Sequence, residues 1–268
     1  MSAPTNISYL PSALGVTKVA QLSTSNYWYT TGVPSVILGT GIPYTVVAWV
    51  YFNNFYNSSC YSTGGSWGEN YVFALGQTGC AGPCPGGTFR GVVFPFSQSF
   101  GYLGVDQSCS ANFSTAVPVY ANQWVFLWWQ YPGSGSTFYL GAIYGNNVSY
   151  TGTVTLSAAE DIPTTGTYFW INQICSGGCE SNGWIAYLAF YNVALSGSQI
   201  YSIYQGQRIT SGLVMEYIGD NYDPSTGVWY DSSGNNVNLS PGTSPYPNRG
   251  CVLWPIGNAG IYSSWPTC

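Results

Sequence analysis

The charged chemistry of this 268-residue chain is limited to nine carboxylates and four cations, with no histidine. The acids are Glu69, Asp106, Glu160, Asp161, Glu180, Glu216, Asp220, Asp223 and Asp231. Without His, neither a Ser–His–Asp nor a Cys–His nucleophilic site can be built. Glycoside hydrolysis needs only two carboxylates, about 5 Å apart for retention and further for inversion. On one strand face such a pair recurs at alternate positions. No strand-like run here carries one, and the adjacent Glu160 and Asp161 would point to opposite faces. A hydrolase would have to assemble its acids from separate loops, for example Glu69 with Asp106. The expectation is a protein that binds rather than cleaves.

Binding chemistry is better represented. The segment Gly64-Gly65-Ser66-Trp67-Gly68-Glu69-Asn70 combines a flat ring with a carboxylate and an amide, and Glu180-Ser181-Asn182 repeats the polar half. Aromatic faces take the apolar side of a sugar, while acids and amides take its hydroxyls. Tyr61, Trp67, Glu69, Asn70, Asp106, Glu180 and Asn182 are therefore the candidate glycan-binding residues. Asp220, Asp223 and Asp231 are a weaker Ca²⁺ candidate, since hard oxygen donors suit that ion. Aspartate is also a standard turn former, and turn or capping roles compete for the same three residues. No other cofactor is expected.

The eight cysteines are Cys60, Cys80, Cys84, Cys109, Cys175, Cys179, Cys251 and Cys268. In Gly-, Pro- and Asn-rich loops they read as disulfides, with four convergent thiolates on zinc as the alternative. Asn-x-Ser sequons at Asn6, Asn57, Asn112, Asn147 and Asn238 agree with an extracellular glycoprotein. Met1-Ser2-Ala3-Pro4 has neither the basic nor the apolar region of a signal peptide. The expectation is a mature form with an added Met, or exit by another route such as lysis. No apolar run is long enough to span a bilayer.

Charged residues make up 5% of the chain, against roughly 25% in ordinary soluble domains. The surface must then be hydroxyl, amide and tyrosine, suited to glycans or to copies of itself. Lys18, Arg90, Arg208 and Arg249 are too few to neutralise a phosphate backbone, which excludes nucleic acid as a partner.

The elements that would position these residues are mostly strands. Tyr44 to Phe55, Tyr71 to Leu75, Phe89 to Phe94, Tyr102 to Asp106, Val117 to Tyr120, Trp124 to Tyr131, Thr137 to Tyr144 and Tyr168 to Ile174 are divided by turn-rich stretches. That cadence predicts an all-β sandwich. Trp49, Trp124, Trp128, Trp170 and Trp184 are expected in its core. Ser157 to Asp161 reads as a single helical turn. In Gly183 to Tyr191 both alternating sets are apolar, as in a central strand covered on both faces. Ser196 with Gln199 then forms a capping box, and Ile200, Ile203 and Tyr204 recur at helical spacing before Gly206. One short helix near 197–205 is predicted.

GWIAYLAFYNVALSGSQIYSIY resembles the closing strand and helix of laminin-G-like, concanavalin A-type jelly-roll modules. Pro43 to Val50 is similar to their early Phe-Thr-x-x-x-Trp-Val strand, and Trp124 to Trp128 with Thr137 to Leu140 to their middle pair. Gly212 to Tyr217 and Gly227 to Asn235 resemble the opening of the same family, displaced to the tail. The resemblance implies a two-sheet antiparallel jelly-roll sandwich over 21–209, preceded by an extended arm, 1–20. The segment 210–268 would complete its own sandwich or a neighbour's. That fold hosts lectins, adhesion modules, spacers and glycosidases. Low charge, abundant Tyr, sequons and cysteines together resemble surface proteins of heat-loving archaea and their viruses. The expected protein is a lectin-like adhesion module on a cell or virion surface, its partners the glycans or glycoproteins of a cell. The alternative is a structural subunit of a virion or filament that meets copies of itself or other virion proteins through Tyr-rich faces or strand donation.

Overall fold

A computed structural model describes residues 16–23, 26–55, 70–77, 89–107, 110–145, 147–156, 161–162, 164, 166–172, 181–242 and 249–251. The first strands are β1 (Lys18–Leu22), β2 (Trp28–Thr30), β3 (Gly39–Thr40), β4 (Tyr44–Asn54), β5 (Asn70–Gln77) and β6 (Phe89–Ser97). Next come β7 (Phe100–Gln107), β8 (Ser110–Tyr120), β9 (Trp124–Tyr131), β10 (Thr137–Tyr144), β11 (Ser149–Thr155) and β12 (Asp161–Ile162). The chain continues with β13 (Thr167–Ile171), β14 (Asn182–Tyr191), α1 (Gly197–Tyr204) and β15 (Leu213–Tyr222). It ends in β16 (Trp229–Asp231), β17 (Ser240–Pro241) and β18 (Arg249–Cys251).

Two antiparallel sheets face each other. One runs β11-β10-β9-β4-β14-β1-β18, with β15 also on β14 and β16 on β15; the other runs β17-β2-β13-β5-β6-β7-β8. The chain is thus an all-β, two-sheet jelly-roll sandwich with one short helix among the described residues. Its interior is filled by Val46, Ala48 and Val50 from one sheet against Phe73, Leu75 and Phe89 from the other, with Trp28, Trp129 and Trp229 between them.

Strand β14 is the pivot. Along one edge it pairs with β4 from Asn182↔Asn54 to Tyr191↔Thr45. Its other edge is shared: β1 takes Gly183 to Ile185, and β15 takes Tyr187 to Tyr191. The two sharers meet at Gly219, where a Cβ would lie 2.0 Å from the Lys18 carbonyl oxygen, so only glycine permits the approach. Beside it the Asp220 carboxylate accepts the Thr17 and Lys18 amides at 2.6 and 3.2 Å. Tail strands therefore pair within the chain, and strand structure begins at Lys18, inside the stretch read as an extended arm. At the expected helical turn, Asp161 pairs instead with Thr40 in a small separate ladder; 157–160 lie outside the described residues.

The helix is held as its sequence dictates. Ser196 accepts the Gln199 amide, and the Gln199 side chain accepts the Ser196 amide at 2.8 Å. Its lead-in is fixed by Thr45, whose buried hydroxyl accepts Leu195 N–H at 3.0 Å and donates to the Val193 carbonyl at 2.9 Å. Ile200, Ile203 and Tyr204 cover the outer face of the nine-stranded sheet, where Tyr204 stacks on Trp49 with ring centroids 5.4 Å apart. Trp49 and Trp124 are thus buried outside the sandwich interior, under the helix layer, and Trp128 and Trp184 are only half-buried beside them.

The buried phenols make a testable consequence. Burial pushes Tyr187 and Tyr217 well above their ordinary value, raises Tyr144, and lifts Tyr191 to about 12. Phenols raised in the folded state contribute stability that is complete below about pH 10. That stability is lost as pH climbs through the folded values. Urea unfolding from pH 7 to 12 should therefore show a flat stability up to about pH 10 and a steep fall beyond it. Tyr191 alone contributes about 2–3 kcal/mol. A level profile to pH 12 would contradict the burial of these rings.

Candidate functional site

Alternation along the seven-stranded sheet turns a second set of aromatics outward. Cross-strand pairing lines up Tyr29, Trp170, Ala74, Arg90 and Asp106 in one row over five strands. Arg90 and Asp106 form a buried ion pair, and the guanidinium lies 5.9 Å from the Tyr71 ring centroid. The pair lies at the end of that row, far from the β6–β7 hairpin, and spends the Asp106 carboxylate on Arg90.

Toward the β6–β7 hairpin the face becomes a ring array. Phe100 packs edge-on to Tyr102 at 4.8 Å, Tyr102 stacks on Phe113 at 5.5 Å, and Phe100 lies 5.5 Å from Tyr120. Phe96 caps the array, 5.8 Å from Tyr102. The Phe94 ring lies over Gly104, where a Cβ would meet it at 2.4 Å. Phe96 is 60% exposed and Tyr120 38%, and Phe100, Tyr102 and Phe113 are half-buried. The array is a contiguous, accessible aromatic surface. It is uncharged, and Ser97 and Ser99 at its hairpin supply hydroxyls 3.4 Å apart.

Of the residues singled out in the sequence, Tyr61, Trp67, Glu69 and Glu180 lie outside the described residues. Asn70 is buried and donates its amide to the Phe55 carbonyl at 2.9 Å, while Asp106 is spent on Arg90. Both therefore do structural work, because burial leaves each polar group needing an internal partner. Asn182 is half-buried and accepts the Asn53 amide at 3.0 Å. Yet the anchors converge. Phe55 and Asn70, which flank 56–69, sit at the hairpin end of the face, where Phe55 N–H bonds the Gln98 carbonyl at 3.1 Å. Ser181, which follows 173–180, donates its hydroxyl to the Tyr71 carbonyl at 2.9 Å. The sequence signal for the array is Phe94-x-Phe96 and Phe100-x-Tyr102, two alternating aromatic pairs across a turn, of which only Phe94 and Tyr102 lie within the strands expected from the sequence.

Of the three aspartates, Asp220 lies on β15 and accepts the Thr17 and Lys18 amides, and Asp223 and Asp231 hold turns. Asp231 accepts Glu216, Ser233 and Val237 amides at 2.9, 2.9 and 3.1 Å. Asp223 accepts the Ser225 amide and hydroxyl and the Thr226 hydroxyl at 2.9, 2.7 and 2.7 Å. Among the described residues no three His, Cys, Asp or Glu side chains are grouped to hold a metal ion. Cys60, Cys80, Cys84, Cys109, Cys175, Cys179 and Cys268 lie outside the described residues, as do Asn6 and Asn57. Of Cys251 only the backbone is described, paired with Lys18. Asn112 and Asn238 are exposed, as is Asn147, which accepts the Tyr204 hydroxyl at 3.0 Å. No helix among the described residues is long and apolar enough to cross a membrane.

No family model matches the chain, and no curated protein matches it. Solved structures do. A candidate carbohydrate-binding protein from Bacteroides ovatus superposes with a TM-score of 0.60 at 14% identity over 88% of this chain, which spans 60% of that protein's length. The heptameric SAP-like pentraxin of Limulus polyphemus gives 0.52 at 14% identity, covering 87% of this chain and 97% of the pentraxin. The enzymatically active domain of bacteriophage CBA120 tailspike protein 2 gives 0.50 at 12% identity, over 82% of this chain and 32% of its own. At such identities the likeness is one of fold, the antiparallel jelly-roll sandwich.

Proposed function

We propose that this chain is a non-catalytic, lectin-like glycan-binding module at the surface of a cell or virion. The observation that carries this reading is the exposed ring array of Phe96, Phe100, Tyr102, Phe113 and Tyr120 on one sheet face. Sugar C–H faces stack on such rings, and hairpin hydroxyls reach the sugar's oxygens. The Bacteroides ovatus neighbour supports the same class. Non-catalytic character is supported by how the acids are used: Asp106 pairs with Arg90 and Glu216 with Arg208, and Asp223 and Asp231 close turns.

The test is a glycan array followed by affinity measurement on the preferred sugar. Phe100→Ala with Tyr102→Ala should weaken binding by about ten- to a hundredfold, since each ring contributes about 1 kcal/mol or more of stacking. A chelator should leave binding unchanged. Undiminished affinity in a folded double variant overturns the reading.

A second reading has its own support. Phe96, well exposed among apolar neighbours on a chain that is 5% charged, equally suits contact with another copy of this protein, as in a structural subunit. It expects concentration-dependent oligomers by light scattering that the same double variant dissolves, with no sugar preference.

A further inference from the structure

Away from the ring array, the β15–β16 hairpin encloses an open cleft of about 520 Å³ lined by Asp220, Asn221, Tyr222, Asp223 and Tyr230. That size falls within the ~300–1,000 Å³ of small-ligand clefts. Its construction follows from strand alternation. Tyr222 and Trp229 pair across the hairpin with both side chains buried, so their neighbours Asn221 and Tyr230 point the other way, into solvent. Tyr230 is 46% exposed and offers a free ring face beside a polar wall.

The wall is rigid. The 223–228 turn is closed by Asp223 N–H on the Val228 carbonyl and Gly227 N–H on the Asp223 carbonyl, at 2.9 and 2.8 Å. Asn221 is fixed by donating to the Ser232 hydroxyl at 2.6 Å. Asp220 is fixed by the Thr17 and Lys18 amides. Hydrogen bonds from Ser225 and Thr226 hold the Asp223 carboxyl down at about 2, so it is ionised and acceptor-only across the working pH range. Its Oδ1 accepts both the Ser225 amide and hydroxyl, while Oδ2 accepts the Thr226 hydroxyl and has room for a second donor. A ligand that complements this cleft brings hydroxyl donors to the carboxylate and amide, and a flat C–H face to the ring.

We propose that the β15–β16 hairpin is a second glycan subsite, taking one neutral sugar residue with its C–H face on Tyr230 and its hydroxyls on Asp223 and Asn221. The proposal extends the glycan-binding reading and rests on it for ligand class, but on none of the same residues. A cation suits the cleft less. Ca²⁺ requires about six to eight oxygens, whereas Asp220 is taken by the Thr17 and Lys18 amides and the Thr17 hydroxyl, and Asp223 by the Ser225 amide and hydroxyl and the Thr226 hydroxyl.

The test is a two-dimensional amide NMR titration of the intact chain with methyl glycosides of glucose, galactose and mannose. It follows the amides of Asn221, Asp223 and Tyr230. At least one glycoside should shift them saturably. Tyr230→Ala and Asp223→Asn should each weaken that titration by about tenfold, with unchanged melting curves. The Phe100→Ala, Tyr102→Ala double variant should leave it intact. No saturable shift at these amides overturns the subsite, and so does a shift produced by calcium chloride alone. If the hairpin is silent while the ring array still retains glycans, only the subsite falls; if both are silent, the glycan reading falls with it.

Discussion

Replacing Trp229 with alanine should remove about 3–5 kcal/mol of stability, the cost of deleting a large buried ring, and lower the melting temperature by about 10 °C. Trp229 is fully buried in the sandwich interior, with ring centroids 5.1 Å from Trp28, 5.9 Å from Tyr217 and 6.0 Å from Tyr222. Its indole N–H donates to the Ile218 carbonyl at 2.8 Å, and its backbone exchanges two bonds with Leu239 at 3.0 and 2.9 Å. One residue therefore ties three pieces together: β15, the segment leading to β17, and β2 of the opposite sheet through Trp28. Trp229→Phe should keep most of the packing and cost far less. Chemical denaturation with fluorescence and circular dichroism would measure both. A loss below about 1 kcal/mol for the alanine variant would mean that the tail is not part of this core.

The second large effect is expected at Arg208. Glu216 is completely buried, and its carboxylate is met by Arg208 Nε at 2.9 Å and Nη2 at 2.6 Å, and by the Tyr187 hydroxyl at 3.1 Å. Arg208 Nη2 also donates to the Ser232 carbonyl at 2.5 Å, so the guanidinium joins the helix exit to β15 and β16. Arg208→Ala leaves a buried carboxylate with a phenol as its remaining side-chain donor. A broken buried pair costs about 3–5 kcal/mol; the 44% exposure of the Arg208 side chain places this one at the lower end, about 3 kcal/mol. Arg208→Lys should recover little, because an ammonium cannot reproduce the two-pronged contact. Adding Glu216→Gln to the alanine variant should recover part of the loss by removing the stranded charge. If Arg208→Ala melts like the parent, the pair carries no net stability.

These two residues mark a boundary in what could be read beforehand. The resemblance of Gly212 to Tyr217 and Gly227 to Asn235 to a family opening placed the tail beside the sandwich, but left its own chain and a neighbour both open. Nothing in the local pattern says that Glu216 will face Arg208, because the pairing depends on where α1 ends relative to β14. Strand β11 was missed altogether. Its sequence, SYTGTVT, buries Val154 alone, and an edge strand with one apolar anchor lacks the alternation that reveals a strand. The capping box at Ser196 and Gln199, by contrast, was fully legible, since its partners lie three residues apart.

Alternation and local spacing determined the all-β class, the short capped helix and the doubly covered central strand, each from neighbours within a few positions, and overall composition determined the neutral surface. Only the tertiary structure decided which face of each strand is interior. Trp128 and Trp129 are adjacent and equally apolar, yet Trp129 fills the sandwich while Trp128 lies outside, its ring over Gly141. Phe96 and Phe100 are as apolar as Phe73 and Phe89, but they stand on the far side of their sheet. When both alternating sets of a strand are apolar, periodicity fixes two faces without naming the buried one. That choice is made by the opposing sheet, whose register is set by contacts distant in sequence.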